Sequence, residues 1–508
     1  MRLTKAEGAL AAGLVAWSLL PIVVLAGGGD VFNGSDGLQV ADHMQYLSFI
    51  RDSGEHVLIS NRLDVAADPH LFLHPMYVLS GLLWKLGASV QLAFLAWKPV
   101  TVVLLFIGFA AYVRRLLSAD RTKMALALLL ALFSVSIAAP LADWLGGSAD
   151  LQFGTFVVGF EMFAAGYTWG ASSGTISVAL MPLFLLGIER VLEPSRRREG
   201  RSARWYAVWA GVAGMLCSWL HPWQGITLLA IILALAAWER LDRHYLALAV
   251  PVALTAAPLA YFWVLSQTDT SWQHVSQPND FAHVGIWLVA GLAPALLALP
   301  GFPGRDLDLQ ERILRIWPAA AIVVYFALQS SWFYHAFVGL SLPLAVLAVR
   351  GWGRLRLPRL ATAAVVLALT VPGMVFAVTE LYDGRADHFF RSDEAAVLDY
   401  LDDSPRPGAV LAPRAPLGQA VPGLAGRNTF VGHYTWTPDY GAREAGTEDL
   451  FEGRLSARAA RRLVRESGAA FLASDCRGRA DLEPLLRRLL LRVRRFGCAT
   501  VYELRPPA

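Results

Sequence analysis

Charged residues are scarce in this sequence. Asp, Glu, Lys and Arg make up 17% of the 508 residues, whereas 56% are hydrophobic and the mean hydropathy is +0.46. Soluble globular proteins carry roughly 25% charged residues, so this composition excludes an ordinary soluble protein. The formal net charge is +4, but the positive charge lies in short loops between apolar blocks and predicts no nucleic-acid partner.

Several common catalytic signatures are missing as well. The sequence contains no glycine-rich phosphate-binding motif, no nucleophile elbow and no ATP-binding signature. No HExxH-type spacing links its histidines, so we expect no zinc site. A requirement for a divalent cation stays open, because the sequence names no ligands for one.

Apolar blocks dominate the first three quarters of the chain. Each is about 17 to 22 residues long, the length of helix that crosses the hydrocarbon core of a bilayer. We interpret them as eleven spans, the first retained rather than cleaved as a signal peptide. The fold class predicted is a mainly α, polytopic transmembrane bundle. The blocks cover residues 8–26, 92–113, 122–140, 174–192, 203–220, 222–239, 245–265, 283–300, 313–329, 331–350 and 358–381.

The distribution of arginine and lysine orients this bundle. By the positive-inside rule, the N-terminus lies in the cytoplasm and the C-terminus outside. This orientation requires that the weak block 75–88 does not cross, so we predict a helix lying in the outer interface there. Basic residues gather at the N-terminus and in 114–123, 193–204 (with the dense run 196–198), 239–244, 301–315 and 350–359, whereas loops 141–173 and 266–282 have none.

The composition changes after Tyr382, and residues 388–508 contain no run long enough to span. Strand-like stretches (GAVLAP, AAFLAS and ATVYEL) alternate there with helix-like ones, which predicts a small α/β domain. We therefore divide the chain into a transmembrane domain, 1–387, with a first external loop at 27–91, and an extracytoplasmic domain, 388–508. This assignment places Cys476 and Cys498 in an oxidising compartment, so we predict that they form a disulfide; two buried free thiols are the alternative.

The first external loop carries the stretch QVADHMQYLSFIRDSGEHVLISNRLD at residues 39–64. Val40, Met44, Leu47 and Ile50 recur at helical spacing, so we predict a helix with Asp42 at its start. A carboxylate held at the membrane surface can act as a general base towards a hydroxyl. The alternative is a solvated loop, since acids commonly populate external loops.

Polar residues near the predicted outer ends of other spans are candidates for binding a phosphate. Pro222 and Pro75 suit the first turn of a helix, whose free N–H groups attract anions. Lys98 lies within the second span, where a charge is either functional or reaches the interface. Capped helix starts with interfacial histidines are the alternative for the remaining candidates, which are His74, His221, Gln224 and His335.

A third polar cluster lies in the C-terminal region, in GHYTWTPDYGARE at residues 432–444. It combines a histidine with aromatic and acidic residues. Such clusters suit stacking against a sugar, and they also suit docking on a membrane. We assign this one to docking or acceptor contact rather than to chemistry.

These features together resemble the GT-C glycosyltransferase superfamily. The likeness is architectural: one span, a long external loop with an early aspartate, an interfacial helix, many further spans and an external C-terminal domain. The local match consists of ADHMQY at 41–46 and NRLDVAADPHLFLHPMYVLSGLLWKLG at 61–87. Members of the family often have an adjacent acidic pair where this chain has Asp42 followed by His43.

The resemblance implies a multi-pass enzyme of the plasma membrane. It would transfer a sugar from a polyprenyl-phosphate donor to a glycan, lipid or protein acceptor, within the membrane lipids. Asp42 is the implied catalytic carboxylate, acting as the general base, with Asp36 as the alternate. We expect inversion, because no second carboxylate is placed as a nucleophile. The alternatives are a carrier or flippase for a lipid-linked saccharide and a non-catalytic membrane scaffold.

Overall fold

The computed structural model describes residues 3–192, 201–240, 242–277, 284–305, 307–328, 332–478 and 480–506, which group into two compact units. The helical unit consists of Met1–Pro21, Lys98–Val264 and Ser276–Thr379, and the mixed unit of Ile22–Trp97, Leu265–Val275 and Glu380–Ala508. Residues of the first external loop thus group with the C-terminal segment in the mixed unit. The division into a transmembrane domain, 1–387, and an extracytoplasmic domain, 388–508, stays a prediction.

The chain is mostly helical. Short 3-10 helices cover Gly166–Thr168, Arg243–Leu248, Ala293–Gly301, Phe333–Phe337 and Arg385–His388, and a π-helical turn covers Arg414–Gly418. In chain order the described α-helices are α1 (Lys5–Val24), α2 (Val40–His56), α3 (Pro75–Lys85), α4 (Val90–Leu95), α5 (Lys98–Leu117), α6 (Arg121–Phe133), α7 (Ala138–Trp144), α8 (Ala149–Glu161), α9 (Ser172–Leu192), α10 (Arg201–Leu220), α11 (Pro222–Trp238), α12 (Ala249–Thr268), α13 (Thr270–Val275), α14 (Ile286–Leu292), α15 (Leu309–Ala327), α16 (Ser341–Leu355), α17 (Arg359–Asp383), α18 (Ser392–Asp403), α19 (Gln419–Leu424), α20 (Tyr440–Phe451), α21 (Ala457–Glu466) and α22 (Glu483–Leu486).

Several of these helices are long and apolar enough to cross a membrane. Among the described residues there are five, and α6 with α7, bent by 48°, would make a sixth. The predicted count of eleven is not confirmed, because other predicted blocks fold as shorter helices such as α11 and α14. The five candidate spans are Lys5–Val24, Val90–Leu117, Ser172–Leu192, Arg243–Thr268 and Arg359–Asp383. The basic run 196–198 of the sequence analysis lies outside the described residues.

Proline marks two helix starts that were predicted from the sequence. α3 begins at Pro75, with His74 at the N-cap position, and α11 begins at Pro222, with His221 at the N-cap position. At about 1.5 Å per residue, the 11 residues of α3 are too short to cross a bilayer core of about 30 Å. The weak block at 75–88 is therefore not among the candidate spans of the described chain.

The mixed unit contains two small sheets. β1 (Val31–Phe32) pairs antiparallel with β2 (Phe389–Phe390). The second sheet has the order β3-β4-β6-β5, with β3 (Val410–Leu411) parallel to β4 (Phe471–Ser474). β6 (Ala499–Leu504) is antiparallel to β4 and to β5 (Leu490–Phe496), with Ala473 opposite Val501. A hydrophobic core lies against this second sheet and includes Leu411, Leu450, Phe451, Leu472, Leu486 and Tyr502.

The three strand-like stretches of the C-terminal region are confirmed as β3, β4 and β6. β5 was missed, because its sequence LLRVRRF continues a run that was interpreted as helical; the helix there ends after four residues. Cys476 and Cys498, which follow β4 and precede β6, form the predicted disulfide.

α2 forms as predicted, and three contacts fix its position in the mixed unit. Gly54 on α2 crosses Gly81 on α3 so closely that a Cβ on Gly81 would lie 2.5 Å from the Gly54 nitrogen. The Arg51 guanidinium donates to Asp402 Oδ1 at 2.5 Å and to the Leu424 carbonyl at 2.8 Å. α2 is thereby held against α3, α18 and α19 at once.

Candidate functional site

Asp42 lies in the first turn of α2, where its side chain is 29% exposed. Its Oδ1 is 2.9 Å from Nε2 of His433, whose side chain is only 3% exposed. A carboxylate that accepts a hydrogen bond from a buried imidazole is held in one orientation. The exposed part of the same carboxylate remains accessible to a second group.

The contacts of the other ring nitrogen assign the tautomer of His433. The Thr435 backbone N–H donates to His433 Nδ1 at 3.3 Å, and the Thr435 hydroxyl lies 2.7 Å from the same atom. A neutral imidazole that accepts at Nδ1 carries its proton on Nε2. His433 is therefore the donor and Asp42 the acceptor, as in other sites where a third group orients a catalytic side chain.

The loop after α2 holds the segment that carries His433. The Thr437 hydroxyl donates to the Leu63 carbonyl at 2.5 Å, and the Asn61 amide donates to the Trp436 carbonyl at 2.9 Å. Trp436 is itself buried. Two chain segments that are distant in sequence therefore lock the Asp42–His433 pair in place.

Tyrosines line the same region. The Tyr434 ring stacks on His433 with centroids 4.3 Å apart, and Tyr77 stacks on Tyr46 at 5.8 Å. Burial, and then the negative charge of Asp42, raise the pKa of Tyr434 well above its usual range. Burial, with Tyr46 and Asp42 nearby, does the same to the pKa of Tyr77. Both phenols stay neutral, so they can donate hydrogen bonds but cannot serve as bases.

The remaining candidates of the mixed unit are buried. Asp36 is 2% exposed and His74 is 5% exposed, and the His74 ring stacks on Tyr77 with centroids 4.2 Å apart. Asp36 lies close enough to the buried His388 to favour its charged form. Asp42 is thus the more accessible of the two candidate carboxylates.

In the helical unit the structure brings His221, Gln224 and His335 together. The His221 and His335 rings lie 4.9 Å apart, and the Gln224 amide donates to the His335 carbonyl at 2.7 Å. His221 Nδ1 is also hydrogen-bonded to Gln224 Oε1. Glu161, at the end of α8, accepts from His335 Nδ1 at 2.9 Å and from the Tyr167 hydroxyl at 2.5 Å.

Lys98 donates to two backbone carbonyls of the helical unit. Its ammonium is buried and donates to the Ser18 carbonyl at 2.8 Å and to the Thr168 carbonyl at 3.0 Å. These bonds brace α5 against α1 and against the turn at 166–168. Whether the ammonium also meets a donor phosphate stays a prediction.

Comparison with known proteins gives a fold. No family model and no curated protein matches this sequence. Among solved structures, the oligosaccharyltransferase of Archaeoglobus fulgidus in its apo form matches with a TM-score of 0.50 at 12% identity, over 94% of this chain and 72% of that chain. The chain has the GT-C fold. ArnT from Cupriavidus metallidurans, in the apo state, also matches, at 14% identity and a TM-score of 0.45, over 97% of this chain and 98% of that one. The predicted resemblance is confirmed at the level of the GT-C fold.

Two polar residues of the candidate site, His433 and Glu161, were not among the catalytic or phosphate-binding residues predicted from the sequence. The segment 432–444 was assigned to docking or acceptor contact, but its His433 contacts Asp42 across 391 positions. Glu161 lies in a stretch that was interpreted as an external loop and folds as α8. An acid inside an apolar run was the available signal for Glu161, and the clustering of a histidine with aromatic and acidic residues was the signal for His433; neither signal shows which partner the residue meets.

Proposed function

We propose that this protein transfers a sugar from a polyprenyl-phosphate donor to the hydroxyl of an extracytoplasmic acceptor, with Asp42 as the general base. The observation that carries the proposal is the Asp42 carboxylate, partly exposed and oriented by a buried imidazole at 2.9 Å. The GT-C fold supports it, since the solved neighbour from A. fulgidus is named an oligosaccharyltransferase. The acceptor class is a glycan, a lipid or a protein.

The proposed reaction is a single displacement. Asp42 takes the proton of the acceptor hydroxyl, and the oxygen attacks the anomeric carbon of the sugar. The bond from that carbon to the phosphate oxygen breaks, and polyprenyl phosphate leaves with the electron pair. One displacement inverts the anomeric configuration.

The choice of Asp42 over Asp36 rests on access. A general base must come within hydrogen-bond reach of the hydroxyl proton. Asp42 is 29% exposed at its side chain, whereas Asp36 is a buried residue with 2% exposure. Asp36 would have to move before any acceptor could reach it.

For the donor phosphate we propose the histidine cluster of the helical unit. His221 lies at the N-cap position of α11, where backbone N–H groups lack partners within the helix. Imidazole N–H groups of His221 and His335 suit phosphate oxygens, whereas the Gln224 amide is buried and already donates to the His335 carbonyl, so Gln224 is a secondary proposal. Lys98 and His74 remain secondary proposals, because both are buried in their own hydrogen-bond or stacking contacts.

Replacing the base tests the proposal. In Asp42→Asn the side chain keeps its size but cannot take a proton, so we expect transfer to fall by about 10²- to 10⁴-fold. Donor binding should survive. The assay is transfer from labelled polyprenyl-phosphate sugars to cell-envelope acceptors, with donor affinity measured beside it.

Two matched variants make the result specific. Asp30→Asn makes the same charge change at an exposed residue that accepts from the Ser392 backbone N–H, and it should transfer normally. Asp36→Asn should retain activity if Asp42 is the base. Near wild-type transfer by Asp42→Asn would refute the assignment. A lipid-linked saccharide carrier would bind the donor without transfer in the wild type and in every variant, and a scaffold would transfer nothing in any of them.

A further inference from the structure

Two histidines converge on one buried carboxylate at the C-terminal end of α2. His56 Nδ1 lies 3.2 Å from Asp52 Oδ1, and His70 Nε2 lies 3.4 Å from the same oxygen. Asp52 is fully buried, whereas His56 and His70 are partly exposed. His70 Nε2 is shielded from solvent and makes no hydrogen bond to any residue that the structure describes.

These distances fit the coordination of a metal ion. Zinc binds imidazole and carboxylate at about 2.0 to 2.2 Å, so two tetrahedral ligands are about 3.3 to 3.5 Å apart. The distances from Asp52 Oδ1 to His56 Nδ1, 3.2 Å, and to His70 Nε2, 3.4 Å, agree with that spacing between two ligand atoms. The three ligand atoms all lie within 4.8 Å of one another. Asp52 and His56 are four residues apart on one helix face, the same spacing that joins the two histidines of HExxH sites.

The surroundings hold the Asp52 carboxylate in one orientation. Its Oδ2 accepts from the Ser60 backbone N–H at 2.6 Å, and its Oδ1 accepts from Arg62 at 2.5 Å. Arg62 also pairs with Glu55 at 2.5 Å. Outer hydrogen bonds of this kind are typical of metal ligands.

We propose that Asp52, His56 and His70 form a binding site for a divalent transition metal, with Zn²⁺ as the ion that fits best. Two imidazoles exclude Mg²⁺ and Ca²⁺ as natural occupants, because those ions prefer oxygen ligands. The helix C-terminus adds a favourable dipole for a cation. Three protein ligands leave the fourth position for water.

The site is separate from the proposed base. Ten residues of helix divide Asp52 from Asp42, which is about 15 Å along the axis of α2. The metal would tie the end of α2 to the loop 57–70. That loop also holds the segment with His433. The Thr429 N–H donates to the Arg62 carbonyl at 3.1 Å, and the Arg443 guanidinium donates to Asp64 at 2.6 Å. Its role is therefore to stabilise the loop rather than to take part in the reaction.

Metal binding to the full-length protein tests the site. The protein is purified in detergent without a polyhistidine tag, stripped with a chelator and titrated with Zn²⁺. We expect one tight Zn²⁺ per chain and a higher melting temperature on binding. His56→Ala and His70→Ala should each weaken Zn²⁺ by at least about 100-fold, since even outer-shell changes cost 10- to 100-fold. His274→Ala, on α13, serves as the matched control and should bind as wild type.

Spectroscopy keeps the test decisive if a variant aggregates. Co²⁺ added to the stripped wild type should give the intense visible absorption of a four-coordinate site, and X-ray absorption of the Zn²⁺ form should show two imidazoles per metal. Zinc uptake that is equal in wild type and in both variants overturns the proposal. A zinc environment with one imidazole or none overturns it as well.

Discussion

At the residue scale, His433 is the group that orients the Asp42 carboxylate. Its Nδ1 is occupied by the Thr435 N–H, so its Nε2–H is directed at the Asp42 carboxylate. Hydrogen bonds to charged groups contribute about 1.5 to 3 kcal/mol. We infer that His433 is a positioning residue, which acts on the reaction through Asp42.

A prediction about His433 follows from that geometry. His433→Ala should lower the turnover rate by about 10- to 100-fold, because the carboxylate loses the donor that orients it. The apparent affinity for the donor should not change. His433→Gln places an amide N–H at a similar reach and should recover most of the rate. Steady-state kinetics and melting temperatures are measured for both variants. If His433→Ala and His433→Gln lose turnover rate equally, the side chain contributes by packing and not by orienting Asp42.

At the scale of elements, a buried titratable group, His388, lies directly before β2, the strand that pairs with β1. His388 is 2% exposed, and its Nδ1–H donates to the Ser35 carbonyl at 2.8 Å. The Asn33 N–H in turn donates to the His388 carbonyl at 2.9 Å. Burial lowers the pKa of His388 from its ordinary value of 6.5, although the Ser35 carbonyl and the charges of Asp387 and Asp36 oppose the shift.

This lowered pKa predicts a loss of stability in mild acid. The folded state disfavours the imidazolium, so the unfolded chain binds more protons at pH values between the folded pKa and 6.5. The free energy of unfolding should therefore fall as pH drops through 6.5, and level off below the folded pKa. His388→Asn keeps a donor near the Nδ1 position but does not titrate. Thermal unfolding between pH 7.5 and about 5.5 should show a shallower decline for that variant; identical slopes would contradict the assignment.

At the scale of the whole molecule, the GT-C fold and the membrane topology are separate matters. The fold follows from the likeness to a solved structure over 94% of this chain. The orientation rests on the distribution of arginine and lysine, since loops 141–173 and 266–282 contain neither. The extracytoplasmic position of residues 388–508 thus stays a prediction.

Reporter fusions test this topology. A fusion after Asp383 should give the activity of an extracytoplasmic reporter, because the positive-inside rule places the C-terminus outside. A fusion after Asp120, in a predicted cytoplasmic loop, should give the opposite signal. Paired alkaline phosphatase and fluorescent-protein fusions at both positions supply the measurement. Reversed signals would place Asp42 on the cytoplasmic side and would remove the proposed external acceptor.

The sequence by itself determined the features that local chemistry controls. Apolar blocks indicated a membrane protein, helical spacing placed α2, and proline placed the starts of α3 and α11. Each of these signals involves residues that are neighbours along the chain, so the sequence alone reveals them. The span count was not determined this way, because hydropathy does not show where a helix bends or ends, as at the 48° break between α6 and α7.

Only the tertiary structure decided which side chains meet. Asp42 and His433 are 391 positions apart, and Glu161 and His335 are 174 apart. The carboxylate of Asp52 gains its second imidazole, His70, only when the loop after α2 folds back on that helix. Sequence spacing does not predict such pairs, because they depend on how distant segments of the chain pack against each other. The helices could therefore be predicted residue by residue, and the partners of Asp42 and Asp52 could not.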